Sequence, residues 1–131
     1  MKFLQKLFGK RKHSVYVVWN KKNNKKYIGM TNSFKRRKSE HFDEKYRKKH
    51  KDKFLYIEMK KDGIRNYKMK PLQNSLTKNE ALYMEASLIN KIPTYNNFGY
   101  NVAKELKNLK LKIKNKQQID LEIEKIISTL K

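Results

Sequence analysis

Arg37 and His41 stand four residues apart, a spacing that on a helix places both side chains at neighbouring points of one face. A guanidinium fork suits a phosphate, and an imidazole beside it can move or position a proton. Taken alone, the pair reads more readily as a chance arginine and a solvated histidine on a basic helix. Glu85 carries more weight, because it falls inside the apolar helical stripe Ala81, Leu82, Leu88, Ile89 and Ile92. A carboxylate buried there needs a metal, a cation or a proton to offset its desolvation. A lysine such as Lys78 or a buried tyrosine would also meet that need. Tyr16 and Tyr27 sit in β-rich segments, where tyrosines usually pack, and Gly29 marks a close approach by another backbone or a ligand. His50 reads as a surface residue and Trp19 as a packing residue.

The chain around these residues has 131 positions, with 34 Lys+Arg against 12 Asp+Glu and a formal charge of +22. Nucleic acid, the densest cellular polyanion, is the default partner for such a charge, and a membrane surface is its competitor. Lysine outnumbers arginine 29 to 5, so part of the excess is compositional drift. The length suits one domain. The absence of cysteine excludes disulfides, thiolate metal sites and cysteine nucleophiles. The longest apolar run, Val15-Tyr16-Val17-Val18-Trp19, is far below the roughly 20 residues a membrane span requires, and no signal-peptide core precedes a cleavage site. An intracellular, non-secreted protein is predicted.

Patterning supplies the elements that must position the candidates. Residues 1–12 form a basic amphipathic segment with Phe3, Leu4, Leu7 and Phe8 on one face, read as a flap packed on its own domain and alternatively as a membrane-surface segment. Val15–Asn20 and Lys25–Thr31 form a hairpin turned at Asn23-Asn24. From an N-cap at Asn32 or Ser33, one helix with the sparse anchors Phe34, Phe42 and Tyr46 is expected to run to about Lys49. A short helix over about 52–61 stops at Asp62-Gly63, and a strand of about five residues follows through Tyr67, with Pro71 ending it or marking an edge. Thr77-Lys78-Asn79-Glu80 is a capping box opening a helix to about Lys91, ended by Pro93. Residues 94–100 form an aromatic, asparagine-rich loop. Apolar residues then recur at helical spacing through Leu106, Leu109 and Ile113 and from Ile119 to Leu130. Residues 117–131 carry a net charge of −1 while the other 116 carry +23, so the tail helix is expected to pack or to pair in a homodimer.

Taken in order, Ser14-Val15-Tyr16, Tyr27-Ile28-Gly29, Arg37 and His41 on a helix, Glu85 on a helix and Gly99-Tyr100-Asn101 resemble the GIY-YIG nuclease family from about Ser14 to Ala103. The resemblance is closest to the nuclease module of phage-type homing endonucleases, through the Asn23-Asn24 turn and the block from Phe34 to Phe42. It implies a small α/β (α+β) domain at 13–103, with a three-stranded antiparallel sheet flanked by helices, followed by a C-terminal helical tail at 104–131. That tail would serve packing, dimerisation or DNA contact. The resemblance further implies hydrolysis of DNA phosphodiester bonds with one divalent cation, Mg²⁺ or Mn²⁺. Glu85 would be the metal ligand, Arg37 would hold the scissile phosphate and Tyr16 would help activate water. Tyr27 and His41 would complete the proton and phosphate network, with Gly29 and Asn101 as structural support.

Lys35, Arg36 and Lys38 on the same helix are candidate DNA contacts. A tyrosine is a poor base at neutral pH, so Tyr16 would need cations or the metal to favour phenolate, and the basic surroundings offer the first. A phage-encoded member would act in the host cytoplasm or nucleoid. The tail is too short for a separate targeting domain, so specificity is expected from the catalytic domain, a partner or a longer chain. The rival from another class is a non-catalytic, basic nucleic-acid binder that retains the fold.

Overall fold

The computed structural model describes residues 9–92, 94, 99–101 and 111–130. Phe3, Leu4, Leu7, Phe8, Pro93, Leu106, Leu109 and most of the loop after Thr94 lie outside the described residues. Strand β1 (His13–Asn20) is paired antiparallel with β2 (Lys26–Thr31) on one side and β3 (Tyr67–Leu76) on the other, in the order β2-β1-β3. The hairpin turns where Asn24 adopts a left-handed φ of 60°, and the Asn23 side chain accepts a hydrogen bond from the Lys25 amide at 2.9 Å. Helices α1 (Phe34–Phe42), α2 (Glu44–Lys49), α3 (Phe54–Asp62), α4 (Lys78–Lys91) and α5 (Lys116–Leu130) flank the sheet.

The unbroken apolar run of β1 reflects its central place, since both of its faces are buried. Val15 and Val17 enter one core with Ile28 and the inner faces of α4 and α5. Tyr16 and Val18 enter the other with Leu55, Tyr56 and Met59 of α3 and with Phe34 and Phe42 of α1. Pairs across β1 and β2 place Tyr16 opposite Gly29 and Val18 opposite Tyr27. Ser14 donates its hydroxyl to Asn74 at 2.7 Å, next to a register shift between β1 and β3. The capping box of α4 is complete: Thr77 Oγ1 accepts from the Glu80 amide at 3.1 Å, and Glu80 accepts from the Thr77 amide at 2.8 Å. Arg11 adds a two-pronged ion pair to the same buried Glu80, at 2.7 and 3.3 Å.

Two expected elements differ. The helix from Ser33 to Lys49 is broken at Asp43, whose extended backbone ends α1 and whose carboxylate caps α2 by accepting from the Tyr46 amide at 2.9 Å. On one continuous helix Arg37 and Tyr46, nine residues apart, would face about 180° away from each other. The break lets Tyr46 return to Arg37, with its hydroxyl 2.9 Å from Arg37 Nη1. Strand β3 runs past Pro71 to Leu76, twice the expected length. It lies at the sheet edge and shifts register around this point, and both features accommodate a residue without an amide hydrogen.

The tail stripe is buried against the chain's own body. Ile119, Ile123, Ile126, Ile127 and Leu130 share the core of Leu88 and Ile89. Acidic residues flanking it bond to α4, Asp120 accepting from Tyr83 at 2.6 Å and Glu124 pairing with Lys91 at 3.1 Å. A homodimer through 117–131 is left without an apolar seam, since Leu121 is the one large hydrophobic of α5 exposed.

Asn101 fastens the edge strand that carries Tyr27 and Gly29. Its side-chain amide donates to the Ile28 carbonyl at 2.8 Å and accepts from the Ile28 amide at 2.7 Å, both in the interior. Replacing it by alanine leaves two buried backbone groups without partners, so Asn101→Ala is expected to cost about 2–4 kcal/mol. Chemical denaturation checks this, and a loss comparable to an ordinary surface substitution would refute it.

Candidate active site

Tyr16 rises from the centre of the sheet and crosses Gly29, where any Cβ would collide with the tyrosine ring and hydroxyl. The close approach signalled by this glycine is therefore made by a side chain, neither a second backbone nor a ligand. Ser33 caps α1 by accepting from the Arg36 amide at 3.3 Å, and the last turn of that helix delivers His41 into the interior. His41 is fully buried. Its Nε2 lies 2.7 Å from the Tyr16 hydroxyl and its Nδ1 lies 2.8 Å from the hydroxyl of Tyr56, supplied by α3. The Tyr27 ring stands edge-on to the imidazole, with centroids 5.8 Å apart. A solvated His41 is thus excluded.

Burial, then the positive charges of Arg37 and Lys53, push His41 down to about 3. The ring is neutral at physiological pH, so one nitrogen donates and the other accepts. Burial and the neighbouring Tyr27 push Tyr16 well above the usual tyrosine range, against the opposing effect of Arg37. The expectation that basic surroundings favour a phenolate is corrected, because desolvation outweighs them. Burial also raises Tyr56. What remains is a chain of three neutral groups, hydroxyl to imidazole to hydroxyl, able to pass a proton without building charge.

Arg37 stands at the mouth of this chain. Its Nη1 donates to Glu40 at 3.0 Å and to Tyr46 at 2.9 Å. Burial works against its charge, but Tyr16, Glu40 and Tyr46 outweigh that and raise its pKa, so it stays protonated. Other donors of the fork remain for an anion. Lys53 places its ammonium 3.0 Å from the Tyr27 hydroxyl and 4.9 Å from the centre of that ring. Arg37, Tyr46, His50, Lys53 and Tyr56 line a half-open cavity of about 330 Å³. His50, exposed as expected, stacks on Tyr46 at 4.4 Å.

Tyr16, Tyr27, Arg37 and His41 are thus brought together by β1, β2 and α1. Glu85 is only 6% exposed on α4, which packs on the opposite layer of the sheet from His41. Lys35, Arg36 and Lys38 are exposed on α1, with Arg36 bonded back to Asn32 at 3.1 Å.

Residues 12–101 match the GIY-YIG catalytic domain. The chain belongs to the GIY-YIG family. No curated protein and no solved structure matches it. GIY-YIG proteins are a family of nucleases, so a nucleic acid is the implied substrate of this domain. No described helix is long and apolar enough to cross a membrane.

Nucleases of this family usually use a divalent metal. Among the described residues no cluster of three or more His, Cys, Asp or Glu could hold one. The one carboxylate that the family resemblance offers for it is Glu85, buried on α4. Sequence reasoning missed Glu40, Tyr46, Lys53 and Tyr56. Glu40 reaches Arg37 from one turn along α1, the fold of α2 and α3 brings in the other three, and only the apolar anchoring of Tyr46 was visible beforehand.

The depressed His41 has a consequence for stability. Unfolded, it takes up a proton near its ordinary pKa of about 6.5; folded, it resists until about 3. Its contribution is complete above about pH 6.5 and is lost as pH falls toward 3. Between pH 7 and 4 the wild type should lose on the order of 3 kcal/mol more than His41→Gln. Denaturation at the two pH values measures this, and parallel losses would contradict the burial of a neutral imidazole.

Proposed function

We infer that this protein is a divalent-cation-dependent DNA endonuclease that hydrolyses phosphodiester bonds, of the homing or phage-encoded type. The observation that carries it is the buried Tyr16–His41–Tyr56 chain ending beside Arg37 in a basic cavity. The Asn23-Asn24 turn, the Phe34 to Phe42 block and the close at Gly99-Tyr100-Asn101 support the narrower assignment. A non-catalytic binder would not require a neutral imidazole sealed between two hydroxyls.

Arg37, held by Glu40 and Tyr46, places its unused donors on the scissile phosphate, and Lys53 adds a second positive charge. Tyr16 orients the attacking water and takes its proton while passing its own to His41; His41 gives the proton of its other nitrogen to Tyr56, and Tyr56 releases its own to solvent in the cavity it lines, so that no buried ion accumulates. Tyr27 confines the imidazole and shares the cationic environment of Lys53. Glu85 would hold Mg²⁺ or Mn²⁺, which when bound stabilises charge developing on the phosphate and the leaving oxygen.

Supercoiled plasmid incubated with the protein and Mg²⁺ should be nicked or cut, and EDTA should abolish the reaction. Glu85→Gln and Arg37→Ala should each lower the rate at least about 100-fold. Intact plasmid with wild type across salts and DNA structures would sink the enzyme assignment, whereas cleavage by Glu85→Gln at the wild-type rate would sink the metal ligand alone. Tyr56→Phe, which keeps the ring and removes the hydroxyl, should lower kcat and leave KM unchanged. An unaltered kcat would remove Tyr56 from the proton chain.

A further inference from the structure

A second cavity of about 830 Å³ opens along α2 and α3. Asp52 and Tyr56 line both cavities, so the second adjoins the one beside Arg37 across the Tyr56 ring. Its lining divides by chemistry. Ile57, Met59 and Ile64 form an apolar floor, and Ile57 is 47% exposed. Arg47, Lys48, Lys51 and Lys60 form a basic rim, answered within the cavity by Glu44 and Asp52. Arg47 is engaged by the His41 carbonyl at 3.0 Å and Lys48 by Glu44 at 3.2 Å. Among the described residues no ion pair engages Lys51 or Lys60, and both are exposed.

We propose that this trough carries an unpaired stretch of the DNA substrate away from the cleavage site, its phosphates on Lys51 and Lys60 and its bases over Ile57 and Ile64. A cationic rim alone would suit a duplex, whose bases are stacked inside. An apolar floor beneath the rim, with Ile57 exposed in it, suits bases whose faces are uncovered. A second copy of the chain is a poor occupant, because each copy carries +22. Only the point of entry, at Arg37, rests on the nuclease assignment. The trough gives the domain a preference for DNA with unpaired nucleotides beside the scissile bond, a selectivity of structure that needs no base-reading module.

The test is fluorescence anisotropy in EDTA, where no cleavage occurs, with a short labelled oligothymidylate and a duplex of the same length. The wild type should bind the single strand more tightly than the duplex. Lys51→Glu/Lys60→Glu should weaken strand binding about 10- to 30-fold near 0.1 M salt and flatten the slope of log K against log salt by about 1.4, as expected for two lost phosphate contacts. A control with the same charge change at exposed positions elsewhere, Lys68→Glu/Lys114→Glu, should lose about 3-fold at most through screened, long-range effects. The neutral pair Lys51→Gln/Lys60→Gln, with an unchanged thermal midpoint, guards against misfolding and should give a smaller loss of the same kind. Equal losses in trough and control variants, or tighter binding of the duplex, would overturn the proposal. A protein that binds strands through Lys51 and Lys60 but never cuts DNA would sink the nuclease assignment and leave the trough. A nuclease whose trough variants bind normally would do the reverse.

Discussion

A fully buried imidazole must find partners for both ring nitrogens, and meeting that requirement organises half of the molecule. Each unsatisfied nitrogen would cost about 1–3 kcal/mol. Tyr16 answers from the central strand and Tyr56 from α3, so one side chain on α1 ties three elements across the sheet face. The demand propagates outward. Tyr16 can cross to His41 only because Gly29 offers no Cβ, and α1 can deliver His41 only because Ser33 begins it at the right turn. Packing and chemistry are the same arrangement here, since the contacts that exclude water also keep the imidazole neutral.

How much was legible in the sequence followed how local each signal is. The hairpin, the Ser33 cap and the capping box at Thr77 are written in neighbouring residues and form as read. Tyr16, Tyr27, Arg37 and His41 were found by order and spacing, and they meet. Asp43 looked like one more polar residue on a polar helix, because the bond that rewards a break there runs from Tyr46 to Arg37. Pro71 argued for a short strand because its tolerance depends on lying at an edge, which only the completed sheet decides. Lys53 and Tyr56 were hidden by abundance, among 29 lysines and eight tyrosines with nothing local to single them out. The tail's periodicity showed that one face of α5 must be covered; the covering surface, on α4 and the sheet, is not encoded within the tail.

The overall charge of +22 is a blunt property, and the structure resolves it into cations with different tasks. Arg37 is pinned by two neighbours and Lys53 lies over aromatic faces, so both hold fixed positions and both suppress protonation of His41. Arg11, Arg47 and Lys91 stabilise the body through bonds to Glu80, to the His41 carbonyl and to Glu124. Other exposed lysines, Lys51, Lys60 and Lys68 among them, keep the surface cationic without an ion pair among the described residues. Electrostatic attraction toward a polyanion is thus diffuse, whereas the groups that would act on a phosphate are few and ordered.

The two hydrogen bonds from Asn101 to Ile28 also decide how the sheet ends. Strand β2 would otherwise present bare amide and carbonyl groups to any passing strand, an invitation to association between copies. With Asn101 on Ile28 and the Tyr100 amide on the Lys26 carbonyl at 3.0 Å, the Lys26–Ile28 part of that side is already paired from within. The opposite margin, β3, has Pro71, two register shifts and the exposed Lys68 and Lys70, none of which templates a neighbour. A lysine-rich protein that must meet long polyanions, which crowd bound copies together, thus has a sheet sealed against growth by strand addition.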